Sequence, residues 1–288
     1  MVNARKFLLL VLSLVLAIGV FGLVGCGGDD TSDTEEPATT AIKSVDDLKE
    51  GDKVGVQSGT TGEAWATENL EPKGIEVVPY DDVLLAFSAL QAGDVVGVIN
   101  DLPISQDIVK DETRGLEIVE EIKTDETYGF AFSKSNPELR DAINWGLAQV
   151  ISSGEYDTIY EKWFGSKPMS MPEATSGVTE KPASFKTLSA GKIIAGSDTA
   201  FPPFENVEGA QTVGFDVDLL TAIGKQLGFD VEFKSYKFDA LITGVQSATE
   251  FDMVASAMTI TDERKQSVDF SDPYINSNQS LAVKTAAE

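Results

Sequence analysis

Strand-like and helix-like stretches alternate along almost the whole chain, and a single stretch, residues 166–184, breaks the alternation. Short runs rich in β-branched residues fall at 53–57 (KVGVQ), 75–78 (IEVV), 94–99 (DVVGVI), 129–133 (GFAFS), 192–196 (KIIAG), 230–234 (DVEFK) and 252–256 (DMVAS). Between them lie segments with apolar residues at helical spacing: Val83, Phe87 and Leu90; Leu139, Ile143, Leu147 and Val150, ending near Gly154; and Val217, Leu220, Ile223 and Leu227, with Gly228 as a stop. These stripes read as core faces. Such alternation predicts an α/β chain with largely parallel sheets. The interruption, SKPMSMPEATSGVTEKPAS, is rich in Pro, Ser, Thr and Gly and reads as a linker between two blocks. No internal repeat is evident.

The amino-terminal segment predicts that the rest of the chain lies outside the cytoplasmic membrane. Arg5 and Lys6 precede a charge-free apolar run at 7–22, followed by Leu23-Val24-Gly25-Cys26. A basic start, an apolar core and a small-residue cleavage site predict a secretory signal over residues 1–25. The cysteine at the cut resembles a bacterial lipobox, which makes Cys26 the expected lipidation site and membrane anchor. A retained transmembrane anchor is the alternative, since the run nearly spans a bilayer. Residues 26–40, with the acidic run DDTSDTEE, read as a solvated tether.

Composition removes whole classes of chemistry. Cys26 is the only cysteine and there is no histidine, so disulfides, thiolate or imidazole metal sites and Ser-His-Asp catalysis are not expected. A formal net charge of −25 argues against nucleic acid as a partner, because phosphate recognition needs basic patches.

Several segments carry more specific information. GSDTAFPPFE (196–205), GFDVDL (214–219), FDALITGVQ (238–246), FDMVASAMTITDERKQSVDFSDPY (251–274) and SLAVK (280–284) follow one another in the second block. In this order they resemble the first half of the bacterial extracellular solute-binding proteins of family 3, the polar amino acid binders of ABC importers. SVDDLKEGDKVGVQSGTTGE (44–63), LQAGDVVGVIND (90–101) and NPELRDAINWGLAQVISSGEYDTIYEKWFG (136–165) resemble the second half of the same family. The halves stand in reversed order, so the chain resembles a circular permutant whose linker joins the ancestral ends; each piece occurs once, which disfavours a decayed tandem pair.

The resemblance implies a type II periplasmic-binding-protein fold: two α/β lobes joined by two hinge strands. One lobe is expected to combine residues 41–126 with 279–288, the other to run over 127–278, with crossings near 124–128 and 273–278 and closure on the ligand. It also implies a site. Arg264 matches the arginine that grips a ligand carboxylate through its planar fork. Thr259 adds hydroxyl and backbone donors to the same group, and Thr60 and Thr61, at the start of a predicted helix, complete the clamp from the other lobe. Asp101, beside Asn100, takes the ammonium with help from the Ala257 carbonyl. Phe201 and Phe238 cover the ligand's stem, and Asp198 and Gln57 sit near the far end of its side chain.

The ligand implied is a free amino acid. Asp198, with no arginine in the GSDTAFPPFE loop, favours a basic side chain or glutamine. The partners implied are an ABC transporter permease and the membrane holding Cys26, with the protein a monomer outside the cell and no cofactor or metal. Two other readings share the fold: an exported dehydratase-like enzyme and a ligand-sensing subunit of a receptor. No general acid for a dehydratase can be nominated from these residues.

Overall fold

The computed structural model describes residues 42–285. The expected signal peptide, Cys26 and the tether lie outside that range. Among the described residues, twelve strands and eight α-helices make up the fold. In chain order they are β1 (Lys53–Gln57), α1 (Thr61–Asn69), β2 (Glu76–Tyr80), α2 (Val83–Ala92), β3 (Gly97–Asp101), α3 (Leu102–Val109), β4 (Leu116–Tyr128), β5 (Ala131–Phe132), α4 (Pro137–Ser152) and α5 (Glu155–Phe164). After the linker come β6 (Lys192–Ser197), β7 (Asn206–Glu208), β8 (Gln211–Val213), α6 (Phe215–Leu227), β9 (Asp230–Ser235), α7 (Leu241–Ser247), β10 (Met253–Val254), α8 (Asp262–Ser267), β11 (Asp269–Phe270) and β12 (Ile275–Lys284).

The strands form two five-stranded sheets, ordered β2-β1-β3-β12-β4 and β11-β5-β10-β6-β9, and a small β7-β8 hairpin. β1 pairs in parallel with β2 and β3, and β6 with β9 and β10. Helices flank both sheets, giving two α/β lobes. The expected strands are nearly all present, with ends shifted by a few residues; the β7-β8 hairpin was not foreseen, since neither arm is long enough to show alternation.

The lobes are joined by β4 and β12, which pair antiparallel along most of their length, from Ile275↔Tyr128 to Lys284↔Leu116. Each is one long strand, where the sequence suggested only short crossings. Register breaks between Ser277 and Gln279, and there the Asn278 side-chain oxygen accepts the backbone N–H groups of Thr124 (3.1 Å) and Asp125 (3.0 Å). Asp125 adopts a φ of +50°. Three β4 residues, 123–125, stand opposite Asn278 alone, so the strand bends there and keeps its inward–outward phase.

Apolar stripes are buried much as their spacing demands. Leu139, Ile143, Leu147 and Val150 of α4 are all buried, as are Val83, Phe87 and Leu90 of α2. On α6 the buried face is carried by Phe215, Leu219, Leu220, Ile223 and Leu227, while Val217 is only half-buried. The expected stripe is therefore rotated toward Phe215, whose large ring packs against Tyr274, Tyr156 and Phe204. Gly228 ends the helix with a φ of +80°, a conformation open to glycine.

The segment 166–184 contains no helix or strand, yet it is tied down. Asp272, buried just before the hinge strand β12, accepts the backbone N–H groups of Thr175 (2.7 Å) and Ser176 (2.6 Å). Lys181 donates to the Leu227 carbonyl (3.0 Å) and lies over the Trp145 ring. Asn276 of β12 donates to the Ser170 hydroxyl (3.3 Å). No helix among the described residues is long and apolar enough to cross a membrane.

Candidate functional site

In open parallel sheets the chain turns outward at the carboxyl ends of strands, leaving a crevice there. Gln57 ends β1 and Asp101 ends β3 of one sheet, while Asp198 follows β6 of the other. The loop after β1 leads into α1. Thr60 caps that helix: its hydroxyl accepts from the Glu63 N–H (3.1 Å) and donates to the Gln57 carbonyl (2.7 Å). A Thr cap satisfies donors that a helix start leaves open. The Thr60 hydroxyl therefore serves the helix, and the Thr61 hydroxyl faces inward.

Side chains reach from one lobe to the other at several places, an exposed Lys237–Asp81 ion pair among them. Gln57 Nε2 donates to Asp198 Oδ2 at 2.6 Å. Arg264, held at the start of α8 by the Thr261 cap, donates from Nη1 to the Thr259 carbonyl (2.8 Å) and from Nη2 to the Gly59 carbonyl (2.9 Å). The guanidinium carbon of Arg264 lies 5.4 Å from the Phe238 ring centre, a cation–π placement. Thr61 Oγ1 and Thr259 Oγ1 stand 3.5 Å apart.

At the centre are acidic groups. Asp101 accepts from the Tyr128 hydroxyl and from Gln279 Nε2 (2.6 Å). Burial, then the neighbouring Glu126 charge, push its carboxyl up to about 7, against the opposing pull of those hydrogen bonds and of Arg264. Burial also raises the Asp198 carboxyl above the usual carboxylate range, with the Gln57 hydrogen bond resisting. Arg264 is shifted downward by burial, opposed by Asp101 and Glu126.

The structure thus gathers Gln57, Thr61, Asp101, Asp198, Phe238, Thr259 and Arg264 around one gap. The other expected residues make the following contacts. Phe201 is buried within the largest apolar cluster. The Asn100 side chain donates to its neighbour's carbonyl, that of Asp101 (3.3 Å). Ala257 adopts a φ of +42°, which L-residues rarely take, and its N–H donates to Asp216 Oδ2 (2.9 Å).

Three residues at the gap escaped the sequence reading: Glu126, Tyr128 and Gln279. All lie on the paired crossing strands β4 and β12. The short acidic run DETYG gave no hint that one of its carboxylates points inward, although Glu126 falls in phase with the buried Leu116, Ile122 and Tyr128 of the same strand. Among the described residues no group of three or more His, Cys, Asp or Glu side chains could hold a metal ion.

The junction of the lobes therefore brings one guanidinium, hydroxyls and carboxylates together, nearly all of them buried. Such a set suits a small ligand that carries charges of both signs, since burying either charge alone is costly.

Comparison with known proteins agrees in class. One stretch of the chain is 43% identical over 93 residues to the arginine-binding extracellular protein ArtP of Bacillus subtilis, covering 32% of this chain and 36% of that protein. Another match, 34% over 125 residues, is to the L-cystine-binding protein TcyJ of Escherichia coli, covering 43% and 46%. The chain thus spans between a third and a half of the length of these relatives. Among solved structures, an ancestral arginine-binding protein bound to arginine is 49% identical over 30% of this chain and 38% of its own, with a TM-score of 0.29. The family profile itself matches in two pieces, residues 32–166 and 193–288, and by that extent the chain belongs to the bacterial extracellular solute-binding proteins, family 3.

Proposed function

We propose that this protein captures a free polar amino acid between its two lobes and delivers it to an ABC importer. The observation that carries this reading is the placement of Arg264 and Asp101 at one gap, each on a different lobe, with Thr61 and Thr259 between them. The guanidinium suits a ligand carboxylate and Asp101 suits an ammonium. Asp198 at the carboxyl edge of the opposite sheet favours a basic side chain, with glutamine the next choice, because Gln57 already offers Asp198 an amide as donor.

Two further parts of the reading go with it. The chain is a lipoprotein anchored through Cys26 on the outer face of the cell membrane, acting as a monomer. It is also a circular permutant, in which residues 166–184 join the ancestral ends. The gap between the two matched pieces, which covers most of that segment, and the pairing of β12 between β3 and β4 support the second. The relatives reported above are named as binding proteins, which supports capture over catalysis.

A thermal-shift screen of the mature protein against all amino acids tests the core of the proposal. A ligand bound only by the native state raises the melting temperature, by about 2.7 kcal/mol of stabilisation at a hundredfold excess over Kd. Arg264→Ala should remove the shift while circular dichroism stays unchanged. Silence of the well-folded, ligand-stripped protein across the whole panel rules out the reading.

A further inference from the structure

We propose that Glu126 is a positioning residue that sets the hydrogen-bond polarity of the site, turning the Thr61 and Thr259 hydroxyls into acceptors for the ligand's ammonium group. The inference rests on amino acid capture as the function.

Glu126 is the one buried carboxylate of β4. Its neighbours Glu117 and Glu121 are exposed and Glu120 is only half-buried. It lies in phase with the buried Ile122 and Tyr128 on the inward face of β4, next to the bend that Asn278 pins at Thr124 and Asp125. The same stretch of β4 is fixed against the segment that carries Thr259: the Ile260 N–H donates to the Thr127 carbonyl (2.9 Å), and the Gly129 N–H to the Met258 carbonyl (3.0 Å).

Glu126 Oε2 accepts two hydroxyls, one from each lobe: Thr61 at 2.9 Å and Thr259 at 2.7 Å. Its Oε1 accepts from Gln279 Nε2 at 3.0 Å, and the same amide also reaches Asp101. A threonine hydroxyl has one hydrogen and two lone pairs. With that hydrogen directed at Glu126, each hydroxyl turns only lone pairs toward the gap. Neither can then donate to a ligand carboxylate. Both can accept from an N–H, and Thr259 has the greater capacity because the Thr61 oxygen also accepts from Gln279 at 3.3 Å.

The consequence is a division of labour. A ligand carboxylate falls to Arg264 and to backbone N–H groups, whereas an ammonium meets Asp101 and two oriented hydroxyls. This revises the role expected for Thr259, whose hydroxyl was assigned to the carboxylate. It also gives the site a means of rejecting acids that lack an amine, since acceptors left without a donor in a buried gap are costly.

The test compares each amino acid with its deaminated acid: L-arginine with 5-guanidinopentanoic acid, and L-glutamine with glutaramic acid, titrated to millimolar concentration. Wild type, Glu126→Ala and Glu126→Gln are measured by calorimetry, with circular dichroism as a folding check. Glu126→Ala should weaken the bound amino acid by about 10-fold or more, and its deaminated partner by less than about 2-fold. Glu126→Gln, which keeps an acceptor oxygen in place, should recover part of the loss. Equal weakening of both ligands would make Glu126 a scaffold residue only and overturn the proposal. Tighter binding of both would mean that Glu126 repels the ligand carboxylate, and would also overturn it. Wild type that binds none of the four compounds fails the amino acid reading itself, whereas wild-type binding with the wrong variant pattern fails only the role of Glu126.

Discussion

Gln57 and Asp198 face each other across the gap between the sheets, amide nitrogen 2.6 Å from carboxylate oxygen. Each lies at the carboxyl end of a strand, and burial alone would drive Asp198 toward its neutral form. The amide is a neutral donor to a group that would gain more from a cation. A ligand with a positive side chain can displace that amide and supply the missing charge.

Asp198→Asn should therefore separate ligand classes. Charge-assisted hydrogen bonds exceed neutral ones, and truncating one partner of a buried charged pair costs roughly 2–5 kcal/mol. Affinity for arginine, lysine or ornithine should fall by at least about 10-fold, while that for glutamine changes by less than about 3-fold. Parallel calorimetric titrations check this, and equal losses for both classes would remove Asp198 from the specificity determinants.

Asp101 predicts a pH dependence of binding. Its carboxyl is pushed up to about 7 by burial and by Glu126, so near neutrality the ligand-free protein holds a proton there part of the time. An ammonium favours the carboxylate and lowers that value, so binding expels the proton. Affinity should thus rise with pH by up to about 10-fold per unit below pH 7, and level off above it. Calorimetry in buffers of different ionisation enthalpy should detect net proton release at pH 6 and little at pH 8.

A second buried pair governs stability instead. Glu205 is fully buried, and burial, then Asp216, hold its carboxyl well above the usual range. A proton on Glu205 supplies the partner that Asp216 Oδ1 otherwise lacks among the described residues. Asp216 in turn accepts from the Tyr274 hydroxyl (2.7 Å) and the Ala257 N–H. Because the folded value lies above the unfolded one, the native state binds more protons above about pH 4.5, and stability falls as pH rises from there. Glu205→Gln, a neutral donor of similar shape, should flatten that decline and raise the melting temperature at pH 8 by a few degrees. Melting curves from pH 5 to 8 decide it; parallel slopes for variant and wild type would count against the shared proton.

The strap formed by residues 166–184 should contribute to stability through Asp272. Replacing Asp272 by Ala leaves the Thr175 and Ser176 N–H groups without their acceptor. The expected loss is about 1–3 kcal/mol, with a melting temperature lower by several degrees. Ser176→Ala, which keeps both backbone donors, should cost less, and an unchanged Asp272→Ala melting curve would show that the strap is held elsewhere.

Legibility in the sequence followed local chemistry. Lys53–Gln57 was read to the residue because a buried parallel strand is a plain β-branched run, and the α4 stripe because four apolar residues recur at helical spacing. The face of α6 was misjudged because Phe215 sits at its first position, where periodicity has not yet begun. Arg264, Asp101 and Asp198 were reachable only through motifs, since a single charged residue at a strand end looks the same whether it faces water or a gap. Glu126 was missed although it falls in phase with the buried Leu116, Ile122 and Tyr128, because a run as acidic as this one reads as solvent-facing.

β12 enters the first sheet between β3 and β4, and its Gln279 meets a Glu126 that lies 153 positions earlier. Four strands of that sheet are therefore made early, with the edges of β3 and β4 left open, and the strand that joins them arrives only after the other lobe's sequence. Contacts so distant along the chain form slowly, because loop closure precedes any gain from pairing. Folding of this protein should be ordered accordingly: the lobe built on β6 and β9 can condense first, and the other stays incomplete and edge-exposed until β12 is captured between β3 and β4.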